Sequence, residues 1–518
     1  MKNYINCKLI VGIILVLGSF QMQAQNNWDG DNPLGEFQLC NNWFADACPV
    51  TWNSTTDLNI QVKNNPSQTT MYLNFGTWKD INNLTYFASY TSSVTQFDAD
   101  GPLFNENGLN FYGKIENYAP NLTQVFNLPF HGRNATIIEL NPINGGLTFN
   151  RTIFNSGNRN FEVYGPNSRK VTLNGYPEGN NTVGFYIKEY SIVEVNYNNP
   201  GSLSGGYFVE RGELWVESAG VIQGGIQVGI GNANVNKLYI SNPSIATTVA
   251  NAITVPANST NATIGSLNTS NTHTYSGTIN LNNNVVNIDV FNAGGTVDFT
   301  NTISGTGGIQ KINAGLARLS ASNTYTGNTI VNAGTLQYGV ANAIVNTSNV
   351  ILNGGKYSTG ATVGYSDTVG TLALTDNSTI ELGTGNHILT FAASNLVAWT
   401  PGRTFTITGW TNSCTGAKVF VGNNNTGLTA GQLAQITFQG YAAGASISPI
   451  GELIPGNVVL TATSGTLLTA NYTTLKAAFD AINPDLSTHG GISISFWNDL
   501  NEGHQYSTTK PSSWRYFS

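Results

Sequence analysis

Four short segments, NAGGTVDF from Asn292, NAGLARLS from Asn313, NAGTLQYG from Asn332 and NGGKYSTG from Asn353, return at steps of 21, 19 and 21 residues. A period near 20 is too short to enclose a core of its own. It suits one turn of a β-solenoid, in which two or three strands and their bends complete a coil and each coil buries its apolar face against its neighbours. In such a stack each strand pairs with its counterpart one coil away, about 4.8 Å distant. Asn292, Asn313, Asn332 and Asn353 are then expected to form a hydrogen-bonded amide ladder. Gly294, Gly315, Gly334 and Gly354 are expected to let the chain bend sharply beside it. In particular, Asn332, Gly334 and Leu336 are expected to lie over Asn313, Gly315 and Ala317. NTYTGNTIVNAGTLQYG (323–339) contains no acid, base or thiol, so its purpose is read as structural.

The pattern continues upstream in looser form. From about residue 100 short runs such as LNFYG, TIIEL, GLTFN, FEVYG, KVTLN, IVEVN, ELWVE and KLYIS follow one another roughly every ten residues. Their apolar residues alternate, which turns one side inward and the other to solvent. FVERGELWV (Phe208 to Val216) echoes IVNAGTLQY (Ile330 to Tyr338), and NTHTYSGTINL from Asn271 echoes NTYTGNTIV. Only 9% of residues are charged, while 57 are Gly and 40% are apolar. Long salt-bridged helices are therefore not expected, and the class is read as all-β.

The net charge of −7 and the lack of a Lys/Arg cluster leave no electrostatic footprint for nucleic acid. Lys2 and Lys8 precede the apolar run LIVGIILVLGSF, and Ala24 closes QMQA. That is the pattern of a secretory signal peptide (1–24) cleaved at Ala24. The run is shorter than the 20 or so residues of a membrane span, and no integral span is expected after cleavage. Cys40 and Cys48 lie close together in a turn-rich segment. An oxidising exterior would let them form a local disulfide; Cys414 has no evident partner. DGDN (29–32) lacks the alternating oxygen ligands of a calcium loop, since Pro33 occupies the next ligand position.

Catalysis on such a scaffold would need carboxylates facing one groove. Glu213 with Glu217, and Glu189 with Glu194, are the close pairs considered, and a solvated edge is the expectation for both. His131, His273, His387, His489 and His504 stand far apart in the sequence. They match no ligand spacing and are read as exposed turn residues. GTGGIQ lacks the Lys-Ser/Thr of a phosphate loop, and no G-x-S-x-G elbow occurs. No cofactor, metal or catalytic residue is assigned. Trp28, Trp43, Trp52 and Trp78 precede the clear repeats and are expected to cap the open end of the stack.

GTGGIQKINAGLARLSASNTYTGNTIVNAGTLQYG (Gly305 to Gly339) resembles the autotransporter-associated β-strand repeat, also called the passenger-associated transport repeat. Lys311, Leu319, Asn323, Tyr325, Gly327, Val331, Gly334 and Leu336 fill the motif's places, while Ala317 and Arg318 depart from it. NNWDGDN…NNWF near the mature start is similar to the opening block of such secreted proteins. The stretch from GTLALTDNSTIEL to ISPIGELIP is similar to the block that closes them. The resemblance implies a right-handed parallel β-helix exported to the cell surface or beyond, with repeats that aid export and extension of a passenger.

The expected organisation is a signal peptide (1–24), a Trp-rich β N-terminal cap (25–100) and a β-solenoid (101–398, best repeat match 292–360). A closing β block (399–465) and the start of a further module (466–518) follow. In that last segment Leu475, Ala478, Phe479 and Ile482 share a helical face ended by Pro484. No run of alternating membrane strands of barrel type follows, and the residues after this helix are too few for a whole module, so truncation is expected. The expected function is that of a non-enzymatic, adhesin-like protein, secreted or outer-membrane-associated, meeting glycans or surface proteins. The alternative is a polysaccharide lyase or glycoside hydrolase on the same scaffold.

Overall fold

A computed structural model describes five short stretches, 26–28, 57–60, 70–73, 79–86 and 96–99, and then residues 109–461 with short gaps, followed by 470–472 and 493–496. The gaps fall at 134–136, 152, 156–159, 167, 176, 180–183, 198–204, 219–221, 223, 231–235, 412–414, 442 and 457. The leader with Ala24, the cysteines 7, 40, 48 and 414, Trp43, Trp52, Trp78, His489, His504 and the expected helix before Pro484 all lie outside the described residues. The chain divides into two units, Met1–Val183 and Gly184–Ser518. Each is a parallel β-solenoid.

In the first unit three parallel sheets wrap a phenylalanine core. One runs from Asn26–Trp28 through Asp57–Ile60 and Lys114–Asn117 to Asn160–Tyr164. A second runs from Thr70–Leu73 to Lys170–Leu173. The third, from Lys79–Ile81 to Pro177–Gly179, repeats at Leu109, Phe130, Ile153 and Pro177, steps of 21, 23 and 24 residues. Its inward residues meet those of the second sheet. Phe126 stacks on Phe149 with ring centroids 5.0 Å apart, and Phe130 stands edge-on to both, at 5.0 and 5.3 Å. Such aromatic pairs add to the area they bury. An Asn ladder follows the second sheet: Asn174 donates to Asn150, and Asn150 to Asn127, both at 2.6 Å.

In the second unit a long sheet runs from Ser191–Val195 to Lys418–Val421, every described pair parallel. A nine-stranded sheet faces it, from Thr248–Val249 to Ile436–Phe438. A third runs from Phe185–Lys188 only as far as Ile303–Ser304. In the nine-stranded sheet the register passes from Thr272 to Thr296, Leu316, Thr335, Lys356, Thr379 and Thr406, steps of 24, 20, 19, 21, 23 and 27 residues. Coils are thus shortest where the third sheet stops.

Register bears on two readings of the sequence. Ala317 pairs with Leu336, which places Gly334 over Gly315, but Lys311 pairs with Val331, so at the long-sheet end of the corner Asn332 lies level with Ile312 and not with Asn313. One step earlier Val297 pairs with Ala317, so the step is 20 and Gly295 rather than Gly294 lies level with Gly315. The reason is corner length. Five residues, 291–295, join the two strands there, whereas three, 313–315, do so in the next coil. The upstream echoes are not structural equivalents. Tyr207–Val209 and Gly212–Val216 lie in the third and long sheets, but Thr329–Val331 and Thr335–Tyr338 lie in the long and nine-stranded sheets. The shared sequence encodes a strand, a bend and a strand, and it is used at different corners of the coil.

The end of the second unit covers its strand edges. Beyond residue 398, Phe405–Thr408, Lys418–Val421 and Ile436–Phe438 still pair in parallel. The antiparallel pair Ala445–Ile447 and Leu453–Pro455 then lies across them, with bridges from Glu452 to Phe420 and Ala443 to Thr437. Lys418 and Glu452 pair at 2.8 Å. Antiparallel cover of this kind leaves no open parallel template at the last strands. A single turn of helix, Ala430–Leu433, is held by a capping box between Thr429 and Gln432, and Gln432 also donates to the Ser394 and Val397 carbonyls at 2.9 Å. No helix among the described residues is long and apolar enough to cross a membrane.

Candidate functional site

The shortest coils, 308–338, hold the second unit's buried lysine. In Gly308–Ile312 alternation turns Ile309 and Lys311 inward, and Lys311 is completely buried. A buried ammonium is costly unless its donors are used. Lys311 Nζ donates to the carbonyls of Ile312 (2.6 Å), Asn313 (2.7 Å) and, one coil on, Ala333 (3.3 Å). It therefore ties two successive corners together. Burial lowers its pKa to about 8, while the charge of Asp289 acts to raise it. Asp289 is itself buried and accepts from Tyr239 (2.7 Å) and Asn313 (2.8 Å). Gly265 lies between Tyr239 and Asp289 in the register. A Cβ there would meet the Asp289 carbonyl at 2.0 Å, so only glycine fits that position.

Where the third sheet has stopped, side chains take over its hydrogen bonding. Asn323 Oδ1 accepts the Ile303 amide at 2.7 Å, and Asn323 Nδ2 donates to Ala321 (3.0 Å) and Ala343 (2.7 Å). Asp367 accepts the Ile344 amide in the same manner at 3.0 Å. Burial pushes the Asp367 carboxyl up to about 6, against the opposing pull of the amides and the Tyr338 hydroxyl. Around it the fully buried Tyr325, Tyr338 and Tyr357 satisfy their hydroxyls internally. Tyr325 bonds Thr329 at 2.7 Å, Thr329 bonds Ser348 at 2.9 Å, and the Tyr338 and Tyr357 hydroxyls bond each other.

The residues singled out from the sequence fall in different settings. Asn353 donates to Asn332 at 2.8 Å. Asn313 instead reaches Asp289, and Asn292 donates to the Leu267 (2.9 Å) and Asn268 (3.1 Å) carbonyls of the preceding coil. Positive φ falls on Asn313 (58°), Gly334 (62°) and Gly354 (111°), so the left-handed residue moves along the corner from coil to coil. At Gly334 a side chain would also meet the Gly315 carbonyl at 2.3 Å.

Glu213 accepts from Trp215 (2.8 Å) and pairs with Lys237 (3.0 Å). Glu189 is an exposed turn residue and Glu194 a buried strand residue. The expectation that the histidines are exposed fails for two of them. His273 and His387 are buried, bonded to Ser266 (2.7 Å) and Thr359 (2.8 Å) and each to a backbone carbonyl. Burial lowers the pKa of both. Among the described residues no group of His, Cys, Asp and Glu could hold a metal ion.

The geometry is that of a repeat solenoid in which polar side chains close successive coils. Residues 309–337 match the family model described as Passenger-associated-transport-repeat. No curated protein and no solved structure matches the chain. The matched segment contains Lys311, Asn323, Tyr325 and Gly334, whose bonds to neighbouring coils account physically for residues that look bland in sequence. Repeat and fold together fit an autotransporter passenger-like protein.

Proposed function

We propose that the chain is a non-enzymatic, secreted or cell-surface β-solenoid acting as an adhesin-like stalk. Its repeats aid export and extension of a passenger, and glycans or surface proteins are its partners. The observation that carries this reading is the transport-repeat match at 309–337, set in coils whose polar side chains are spent on the neighbouring backbone. Each added coil lengthens such a stack by about 4.8 Å, which gives reach without chemistry. The test is binding of the purified mature chain to an array of glycans and matrix proteins. Capture by either class is expected, and silence across both would remove the adhesin role.

A second reading, a carbohydrate-active enzyme, draws on one observation in the first unit. Glu139 and Glu162 pair in register on adjacent strands, about 4.8 Å apart at the backbone. A retaining glycosidase needs two carboxyl groups about 5–5.5 Å apart, and side chains in register on adjacent strands can come that close. Release of reducing ends from a polysaccharide, lost in Glu162→Gln, would support it.

A further inference from the structure

Between Gln310 and Thr375 the outer side of the second unit's long sheet is built from three columns that run along the coils. The middle column is apolar. Ile330, Ile351 and Ala373 follow Gln310 in register, each half-buried between inward-facing neighbours. On one side Asn349 donates to Asn328 at 3.3 Å and accepts from the Thr371 amide and hydroxyl, both at 2.9 Å. On the other side Asn353 donates to Asn332 at 2.8 Å and accepts from the Thr375 hydroxyl at 2.7 Å. Both ladders run head to tail. An amide has two N–H groups, so each asparagine has donor capacity beyond its ladder bond. None of these side chains carries a charge.

Size and chemistry decide what such a face can hold. Four residue rises separate the two ladders, about 13 Å, and three strands span about 10 Å, a patch of about 130 Å². A stable protein interface needs about 800 Å² per partner, so neither a second copy nor a folded partner is held by it. A polyanion would find no cation here. A pyranose ring has an apolar face of C–H groups and a rim of hydroxyls that both donate and accept, which matches an apolar column flanked by amides.

We propose that this face binds a neutral, unbranched polysaccharide, with two or three sugar rings seated on Ile330, Ile351 and Ala373 and their hydroxyls bonded to the flanking ladders. The inference rests on the adhesin reading and gives its glycan contact a place.

The test uses the full chain in pull-down and calorimetry with neutral glucan, mannan, xylan and galactan, and with heparin and hyaluronan as charged controls. The wild type is expected to bind at least one neutral polymer. Ile351→Asp should weaken that binding at least about tenfold and Asn353→Ala about threefold. Ile351→Ser, together with an unchanged circular dichroism spectrum and melting curve, separates loss of the site from loss of fold. Equal binding by wild type and all variants overturns the assignment of this face while leaving the adhesin reading intact. Binding confined to heparin or hyaluronan, or self-association that Ile351→Asp abolishes, also overturns it. Absence of any polysaccharide binding overturns it too, and capture of a matrix protein would then still uphold the adhesin role.

Discussion

The two units solve one problem in different ways. In the first, three strands recur in each coil from Leu109 to Leu173, so the ladders satisfy most of the backbone. The buried Asn117 serves one corner through the Leu122 and Gly146 carbonyls and the Ala119 amide, and the rest of the interior is filled by Phe126, Phe130 and Phe149. In the second, the third sheet ends at Ile303–Ser304 as the coil shortens to 19 or 20 residues. Backbone amides that a strand would have paired are then met by Asn323 and Asp367, while Lys311 ties together the corners between the other two sheets. Where the strand is missing, side chains must take its bonds, because an unpaired buried donor or acceptor costs about 1–3 kcal/mol. The first unit should therefore respond to changes of shape, and the second to changes of polarity and pH.

The largest effect is expected from Phe130→Ala, which removes a ring touching Phe111, Phe126 and Phe149. It should destabilise the first unit by about 3–5 kcal/mol, with no pH dependence in urea melts between pH 5 and 8. Lys311→Met follows, at about 2–3 kcal/mol, since three corner carbonyls lose a charge-assisted donor. A lysine whose native pKa is lowered to about 8 penalises the protonated folded state, so its contribution to stability rises with pH above 8. Urea melts from pH 7.5 to 9, where unfolded tyrosines with a pKa of about 10 are still largely protonated, should show that rise in the wild type and not in Lys311→Met. A neutral result at pH 7 would break the claim that Lys311 holds successive corners together.

Asp367→Asn is expected to act in the opposite sense. The native carboxyl is raised to about 6, so its stabilising share is full below the unfolded value near 4 and is lost as pH rises through 6. The variant should be more stable than wild type by about 2 kcal/mol at pH 7.5 and equal to it at pH 4, as read from thermal melts at the two values. Asn323 shows that an amide suits this role. The smallest effect belongs to Asn150→Ala in the outer ladder of the first unit, about 0.5–1 kcal/mol for its two amide bonds. A loss as large as that of Lys311→Met would mean that outer ladders, too, carry the stack.

The period, the strand-bend-strand unit and the inward alternation of residues such as Leu319, Val331 and Leu336 were legible in the sequence, because each depends on neighbours within one coil. The stacking of Gly334 and Leu336 on Gly315 and Ala317 was legible for the same reason, whereas Asn332 falls one residue out of step with Asn313 because Gly308–Ile312 runs one residue further than Thr329–Val331. Asn292 was misaligned because its corner holds two more residues, and corner length shows only once strand ends are known. Asp367, His273 and His387 gave no signal at all. Each sits in a run of Ser, Thr and Gly that reads as an exposed turn, and its burial follows from coils above and below that lie some 20 to 30 residues away in the chain.

By itself, then, the sequence determined that this protein is a stack of short β coils poor in charge, since a repeat near 20 residues with alternating apolar positions has no other way to bury its hydrophobic face. Only the tertiary structure decided which sheet each strand joins and where the third sheet stops. It also decided which polar side chains are drawn into the interior there. Those outcomes depend on the register between coils, and a backbone group reveals its need for a partner only when the neighbouring coil is in place.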